Sequence, residues 1–558
     1  MKRIIIIFTS VLLLAGCSGF IDPDDKGGIT NNELYSTAKG YETIITASYA
    51  ALRTIYGDYP FLLMAGTDLY EGHTTNTNQD ESVYLYRMYP NTGHVSTFYS
   101  NCYKAIQRFN MALYYNDLPK DMDNALRATY KSEMRFLRAY FHFLLVEQFG
   151  GISINDEATL SPRTSIPRNT LAECYDFIIS EIEDCIGALG KSTVARVNQD
   201  VANHYLAKIY LTRGWDLNNP DDFTKAKAYA QKVFDSRGEI VLTYEDVWSW
   251  ENENNSEILF AVQYDPKSIP NVTSGNQQQH CFAPYLGGVE HLTKTTNWNF
   301  IPSWGMRKWY PENDTRYETS FMIRIYERYF DYYTVDDKST LKVRAYFPRV
   351  WGRSITEDDL EEWSTAFPTT DIFNLRPFYD DDVELYRSYP FAGSPNMWTA
   401  PLKKFDSPAS LDNAHQGKSS VRDIVLARLA ETYFLYAEAC IGLNDFTTAT
   451  AYVRKVIDRP GNATFGTLPN ALEGATSKEE ALHGYLIESG KEFLGEYNAR
   501  WPELRRTGML KFMTDRYNYE IQKLGAPIDF NKFKLRPIPE NAILLNDALT
   551  EADQNPGY

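Results

Sequence analysis

The sequence predicts a mainly α protein in which a scaffold of helical repeats is split by a large, loop-rich insertion containing short strands. Three observations support this prediction. Apolar residues recur at helical spacing in both halves of the chain, one helix sequence occurs twice, and residues 248–423 lack helical periodicity. Apolar residues make up 43% of the 558 residues, which is enough for a large core.

The N-terminus has the pattern of a secretory signal peptide, which we assign to residues 1–16. Lys2 and Arg3 precede an apolar run that ends at Leu14 and is too short to span a bilayer as a mature anchor. The run leads into Leu-Ala-Gly-Cys17, which resembles the lipobox of bacterial lipoproteins. We therefore expect Cys17 to be lipidated and to anchor the mature chain to a membrane.

A polar tether, residues 17–36, follows the expected anchor. It carries Asp22, Asp24 and Asp25, which can be interpreted as a solvated spacer. Acidic residues just behind a lipidated cysteine also resemble the surface-export signal of Bacteroidetes lipoproteins. We favour this second interpretation, which predicts a location on the outer face of the outer membrane.

Residues 202–237 are predicted to form a helical hairpin. The first helix has an apolar stripe with three- and four-residue spacing, and Gly214 followed by Pro220 ends it. A second stripe runs through Phe223, Ala226 and neighbouring small residues. Small residues let two helices approach closely, as in tetratricopeptide-like units.

The second helix of this hairpin has a counterpart near the C-terminus. Residues 222–236 (DFTKAKAYAQKVFDS) and 445–459 (DFTTATAYVRKVIDR) are identical at nine of fifteen positions. In each case an apolar first helix precedes it, at residues 202–213 and 424–441. Two alanine-rich amphipathic helices can look alike by chance, but the shared entry and exit residues favour true repetition, so we expect stacked repeats.

Further periodic segments complete the scaffold. We predict helices at residues 37–56, 97–116, 123–149, 171–189 and 478–506, and a strand at residues 258–262. The resulting division is an N-terminal helical-repeat part (37–244), a loop-rich ligand-binding insertion (245–423) and a C-terminal helical-repeat part with the tail (424–558). Loops as long as those of the insertion are usually functional.

Charge and cysteine usage exclude several classes of protein. The formal net charge is −17, and removal of the basic signal peptide makes the mature chain more negative. This balance argues against nucleic acid or anionic lipid as the main ligand. Besides Cys17, the five cysteines contain no Cys-x-x-Cys pair and are expected to be buried thiols rather than disulfides or metal ligands: Cys102, Cys174, Cys185, Cys281 and Cys440.

Several short segments, in this order along the chain, resemble the SusD-like (RagB/SusD) family of outer-membrane nutrient-uptake lipoproteins of Bacteroidetes. The resemblance covers essentially the whole chain and is carried by Arg135-Phe-Leu-Arg-Ala-Tyr140, Phe149-Gly-Gly-Ile152, Asn255-Ser-Glu-Ile-Leu-Phe260, Asp314-Thr-Arg316, Arg428-Leu-Ala-Glu431 and Gln554-Asn-Pro-Gly-Tyr558. Around residues 488–500 the chain departs from the family pattern, with Ser489 where arginine is usual.

The resemblance implies a function and a partner. Members usually bind oligosaccharides at the cell surface without cleaving them, and act as a lid over a SusC-like TonB-dependent transporter. We therefore expect a glycan-binding protein, not an enzyme, with no cofactor and no metal. Two alternatives stay open: the same architecture could bind peptide or another non-sugar nutrient, or the chain could be a lipid-anchored glycoside hydrolase.

Two regions offer the side chains that sugars require, which are flat apolar rings and planar polar groups. The first region, residues 68–87, lies between early helices, where the family places part of its ligand site. The second begins at residue 285 and is rich in tryptophan. The candidate ligand contacts are Asp68, His73, Asn76, Tyr84, Tyr285, Trp298, Trp304 and Trp398. Tryptophans in a long insertion often form its own small core, so only one or two should be exposed platforms.

Motifs of enzymes are absent from the sequence. It contains no His-Glu-x-x-His, no Gly-x-Ser-x-Gly and no Gly-x-Gly-x-x-Gly after a strand. Carboxylates are abundant, so a pair at hydrolase spacing would arise by chance. An arginine patch around Arg87 or Arg316 could still favour acidic glycans despite the net charge.

Overall fold

The computed structural model describes residues 30–558 except 59, 72–81, 192–193, 266–274, 283–299, 304, 328–330, 373–399, 401, 408–419, 498–499 and 525–527. Twelve helices of seven residues or more occur in this part of the chain: α1 Ala38–Tyr56, α2 Gly93–Tyr114, α3 Asn124–Phe149, α4 Leu171–Cys185, α5 Gln199–Asp216, α6 Pro220–Arg237, α7 Glu357–Ala366, α8 Leu429–Gly442, α9 Phe446–Ile457, α10 Lys478–Glu492, α11 Arg500–Arg506 and α12 Leu510–Tyr517. The mainly α prediction is therefore confirmed.

Shorter helical segments connect these helices. They are Asn31–Leu34, Phe61–Met64, Tyr244–Trp248, Thr315–Ser320, Asp331–Thr334, Tyr519–Leu524, Phe530–Phe533 and Glu540–Leu544. In the described part of the chain, no helix is long and apolar enough to cross a membrane.

The predicted hairpin consists of α5 and α6. Asn219 caps α6 by accepting a hydrogen bond from the amide of Asp221, and Pro220 occupies the first turn, where its missing N–H costs nothing. Asn218 takes the left-handed conformation between the helices, with φ of 52°. Local sequence signals therefore determine where this turn lies.

The second hairpin, α8 and α9, packs against the first, which confirms the stacked repeats. The rings of Phe234 and Tyr433 lie 4.3 Å apart across the α6–α8 contact. Gly214 in α5 and Gly442 in α8 both face the ring of Phe223, and a Cβ at either glycine would lie 2.8 Å from it. Gly214 therefore allows close approach of α5 and α6 within the first hairpin, and Gly442 allows close approach of α8, from the second hairpin, to α6.

Two predicted helices have different boundaries in the structure. Residues 424–428 form a strand, not the start of a helix, because a continuous apolar run suits a buried strand and a buried helix equally well. The predicted helix at 478–506 is two helices, α10 and α11, separated by a turn in which Gly495 has φ of 79°. Glycine tolerates this conformation, so the turn interrupts an otherwise periodic segment.

The strands are short and form three small sheets. They are β1 Tyr70–Glu71, β2 Ile258–Val262, β3 Ile301–Pro302, β4 Arg324–Tyr326, β5 Val343–Tyr346, β6 Asp371–Ile372 and β7 Ile424–Arg428. β1 pairs with β3 and β2 with β7, both antiparallel, and the third sheet has the order β4-β5-β6. The predicted strand at 258–262 is confirmed as β2.

A buried ion-pair network joins the insertion to the C-terminal repeat. Arg428 donates to Glu492 over 2.9 Å and to Glu496 over 2.8 Å. Arg428 and Arg459 both donate to Glu257, over 2.7 and 2.6 Å. Burial alone would raise the pKa of Glu492, but the surrounding arginines outweigh it and lower the pKa to about 2. The network therefore stays charged and links the residue before β2, the end of β7 and α10.

Candidate functional site

The pairing of β1 with β3 brings the two predicted ligand regions together. Tyr70 lies opposite Pro302 and Glu71 opposite Ile301, in antiparallel register. Segment 72–81 starts directly after Glu71, and segment 283–299 ends two residues before Ile301. The roots of both segments therefore lie at the same end of one two-stranded sheet, although more than 200 residues separate them.

An aromatic cluster supports this end of the sheet. The ring of Phe300 lies 5.1 Å from that of Phe61, 5.9 Å from those of Tyr70 and Phe282, and 6.1 Å from that of Tyr84. All five residues are buried. Edge and tilted contacts at these separations are favourable, so the cluster fixes both roots relative to each other.

Phe405 and Ser420 lie close in sequence to two more segments outside the described residues. Phe405, which lies between segments 373–399 and 408–419, packs against Phe282 with ring centroids 5.9 Å apart. The backbone of Ser420, just after segment 408–419, exchanges two hydrogen bonds with Asn276, of 2.7 and 2.8 Å. Phe405 therefore extends the aromatic cluster, and the described residue that follows segment 408–419 is held by the backbone of Asn276.

A cleft of about 300 Å³ opens beside this cluster. Phe61 is shared between them, because its ring packs against Phe300 on one side and against His94, at 4.2 Å, on the other. The half-buried residues Phe98 and Asn101 and the exposed Asp58 also line the cleft. It thus combines apolar rings with a carboxylate, an amide and an imidazole, the mixture that binds hydroxyl-rich ligands non-covalently.

Several candidate residues lie outside the described residues, so the structure does not test them. They are Cys17, His73, Asn76, Tyr285, Trp298, Trp304 and Trp398. They stay predictions. Glu71, Phe282 and Phe300, the described residues next to the segments that hold His73, Asn76, Tyr285 and Trp298, lie in β1 or the aromatic cluster.

Asp68 has a structural position that contradicts its assignment as a ligand contact. It is fully buried, and its two carboxylate oxygens accept hydrogen bonds of 2.9 and 2.6 Å from Arg500. Glu503 also accepts from Arg500, over 2.6 Å. Burial alone would lower the pKa of Arg500, but these two carboxylates raise it. We therefore assign Asp68 to an ion pair that attaches β1 to α11.

Tyr84 and Arg316 are also buried rather than available to a ligand. Tyr84 is 1% exposed and packs edge-on against Phe61, with an interplanar angle of 88°. Arg316 is fully buried and donates to Asp314 over 2.7 Å and to Glu492 over 3.2 Å. The expected surface patch around Arg316 is therefore wrong, because this guanidinium belongs to the interior.

The cleft residues were not found by sequence reasoning. His94, Phe98 and Asn101 lie in the first turns of α2, whose start was predicted too late, at residue 97. Their spacing of four and three residues places them on one face of a helix. This spacing is the sequence signal that identifies them as neighbours. Asp58 follows α1 and gives no sequence signal of its own.

The described part of the chain contains no cluster of three or more His, Cys, Asp or Glu residues suited to a metal ion. All five internal cysteines are buried free thiols, as predicted. The candidate site consists of aromatic rings and hydrogen-bonding groups beside the helical scaffold.

The described helices form a helical-repeat scaffold with a cleft on its surface. Two family descriptions match the chain: "SusD family" over residues 256–558, and "Starch-binding associating with outer membrane" over residues 30–211. The chain belongs to the SusD family. A prokaryotic lipoprotein lipid attachment site matches residues 1–18, so the protein is lipid-anchored at the outer-membrane surface, as predicted.

Two curated relatives match most of the chain. SusD-like protein P2 of Formosa agariphila is 24% identical, and the match covers 100% of both chains. A SusD-like protein of Bacteroides ovatus is also 24% identical, over 79% of this chain and 72% of its own.

Solved structures share the fold. A laminarin-binding SusD-like protein superposes with a TM-score of 0.63 at 20% identity, covering 94% of this chain and all of its own. Surface glycan-binding protein A of Bacteroides thetaiotaomicron, in complex with laminarihexaose, gives 0.64 at 16% identity, covering 93% and 99%. These similarities confirm the fold class predicted from the sequence.

Proposed function

We propose that this lipoprotein captures an oligosaccharide at the cell surface, does not cleave it, and delivers it to a SusC-like TonB-dependent transporter. The observation that carries the proposal is the β1–β3 pairing. In this pairing, Glu71 and Ile301, which adjoin the two candidate sugar-binding regions, lie side by side. A cleft lined by rings and planar polar groups lies next to them. Family membership supports the same function.

The proposed site has two sets of contacts. Phe98 and His94 of the cleft would supply ring surfaces, and Asp58 and Asn101 would hold hydroxyl groups. Around the cleft we propose the candidate residues His73, Asn76, Tyr285, Trp298, Trp304 and Trp398. Within this proposal, residues 245–423 form the ligand-binding insertion and residues 17–36 the lipidated tether.

Neutral glucans are the first ligands to test. Two structural neighbours are described as binding laminarin or laminarihexaose, and one family description is starch-binding. The net charge of −17 also favours neutral over acidic glycans, though only weakly, since local groups dominate at a binding site.

Affinity gel electrophoresis of the soluble chain, starting after Cys17, tests this proposal. The gels contain laminarin, starch or other plant, microbial and host polysaccharides, and each mixture is assayed for new reducing ends. We expect retardation by one class of glycan without release of sugar. Replacement of Trp298, Trp304 or Phe98 by alanine should reduce retardation.

Trp250→Ala is the matched control, because Trp250 is 42% exposed and does not line the cleft. It should behave like the wild type. Release of reducing ends would overturn the non-catalytic function in favour of a hydrolase. Absence of retardation by every glycan would overturn sugar capture in favour of a peptide or another nutrient.

A further inference from the structure

A second concave surface lies next to the cleft, on the side of the C-terminal tail. This groove, of about 510 Å³, is lined by Tyr89, Pro90, Asn91, Glu540, Ile543, Leu544, Glu551, Gln554 and Tyr558. Asn91 and Gly93, which line the groove and the cleft respectively, are two residues apart. Since two residues of chain span at most about 7 Å, the groove and the cleft are neighbours.

Tyr89 is the first feature of the groove that suits a sugar. Its side chain is 62% exposed, whereas Tyr84 and Tyr86, in the same segment, are buried. Its backbone is held in place, because its amide donates to the hydroxyl of Thr92 and its carbonyl accepts from the amide of the same residue. A tyrosine ring that is fixed at its base and open to water can stack on the C–H face of a sugar ring.

Planar polar groups surround this ring. Glu540 and Glu551 contribute carboxylates to the lining, and Asn91 and Gln554 contribute amides. The amide of Gln554 has a fixed orientation, because its Oε1 accepts from the amide of Ile538 over 2.7 Å and its Nε2 donates to the carbonyl of Ile538 over 2.9 Å. Two carboxylates and the second N–H of an oriented amide are suited to sugar hydroxyls.

The groove is also held firmly to the rest of the protein. The amide of Glu540 donates to the carbonyl of Pro90 over 3.1 Å, which ties the C-terminal helix Glu540–Leu544 to the segment of Tyr89. The hydroxyl of Tyr558 donates to the carbonyl of Leu535 over 3.2 Å. Both walls are therefore in place before any ligand binds, so ordering them costs little free energy.

We propose that this groove is an additional glycan subsite that extends the cleft and takes further units of the same polysaccharide chain. The inference rests on the proposed function. Its ligand is neutral or amino-sugar glycan, because two carboxylates and no lysine or arginine are among the described residues that line it. Longer chains bind more tightly because they contact cleft and groove together.

The test compares oligosaccharides of increasing length. The soluble chain and its Tyr89→Ala variant are titrated by calorimetry with laminari- and malto-oligosaccharides, from disaccharide to octasaccharide, and with laminarin and starch. In the wild type, affinity should keep rising beyond the length that fills the cleft. Tyr89→Ala should bind the polysaccharide roughly five- to tenfold more weakly and the shortest binding oligosaccharide as the wild type does.

Tyr114→Ala is the matched control, since Tyr114 is 56% exposed at the end of α2 and lines neither surface. It should leave every affinity unchanged. Equal affinities of Tyr89→Ala and the wild type at all lengths, or an equal loss at all lengths, would overturn the subsite while leaving glycan capture intact. Failure of the wild type to bind any glycan would overturn the proposed function and the subsite together.

Discussion

Buried arginine–carboxylate pairs connect residues that are far apart in this sequence. Asp68 and Arg500 are 432 positions apart, yet they form a two-bond ion pair in the interior. An ion pair of this kind is costly to break, because the remaining charge is left without full compensation. The carboxylate of Asp68 therefore acts on stability, and its effect on a ligand would be indirect.

Asp68→Asn should lower the free energy of unfolding by about 3 kcal/mol. The variant removes the negative charge that faces Arg500 but preserves the shape of the side chain. Urea unfolding measures the loss, and glycan affinity, measured well below the unfolding midpoint, should stay at the wild-type value. Asp184→Asn is the control, because Asp184 is 65% exposed and its pair with Arg135 lies at the surface, so it should change stability by less than about 1 kcal/mol. Weaker glycan binding at unchanged stability would return Asp68 to the ligand site.

Asp423 should make stability depend on pH. Burial raises the pKa of this carboxyl to about 7, although its Oδ1 accepts a 2.6 Å hydrogen bond from the amide of Tyr264. In the unfolded chain the pKa is near its ordinary value of 3.8. Between about pH 4 and pH 7 the folded state thus binds more protons than the unfolded state, and this group lowers the free energy of unfolding as the pH rises.

Asp423→Asn should remove this dependence. The amide oxygen can still accept from Tyr264, but the side chain cannot ionise. We expect the variant to match the wild type at pH 4 and to be more stable by about 4 kcal/mol at pH 8. Urea unfolding at both pH values measures this difference. If the variant were less stable than the wild type at pH 8, the ionised carboxylate of Asp423 would stabilise the folded state, and the prediction would be wrong.

At the scale of elements, local sequence patterns predict most helices correctly. They fail where a segment's structure depends on a distant partner. Helices such as α3 and α6 follow from apolar spacing and capping residues, which are encoded within a few positions. The run at 424–441 is mostly apolar, so only its pairing with β2 reveals that it begins as a strand. Distant partners also limit prediction of the site. Tyr84 and Asp68 are residue types that often bind sugars, but residues far away in the sequence bury both of them.

Gly214 determines how closely α5 approaches α6 within the first hairpin, and Gly442 determines how closely α8 of the second hairpin approaches α6. Replacement of either by alanine places a Cβ 2.8 Å from the ring of Phe223, which should cost about 1–3 kcal/mol of stability. Thermal unfolding measures this cost. The control is Gly187→Ala, because nothing lies within 4 Å of its Cβ. The double variant should cost less than the sum of the single ones, since both glycines face one ring; strict additivity would show that the two contacts are independent.

At the scale of the whole molecule, the anchor and the site have to act together. The lipid attachment site places the chain at the outer membrane, and residues 17–36 connect the anchor to the first repeat. The net negative charge keeps the scaffold from binding anionic lipid directly, so the membrane contact depends on the lipidated cysteine. The proposed capture of glycan can therefore be tested separately from anchoring.

Cys17→Ala should abolish anchoring and leave binding intact. Without a thiol to acylate, the protein should leave the outer-membrane fraction, because no helix in the described part of the chain is long and apolar enough to hold it in a bilayer. Fractionation measures this change, and the purified variant should bind glycan like the soluble wild type.

A second variant separates anchoring from surface exposure. Asp22, Asp24 and Asp25, replaced together by alanine, should leave the protein in the membrane fraction but protect it from protease added to intact cells, because the export signal is lost while Cys17 remains. Cys102→Ala is the control for the Cys17→Ala variant, because Cys102 is a buried free thiol. The Cys102→Ala protein should stay anchored to the membrane and sensitive to protease. Unchanged protease sensitivity of the triple variant would show that the acidic residues are only a spacer, and growth on the glycan should then be unaffected as well.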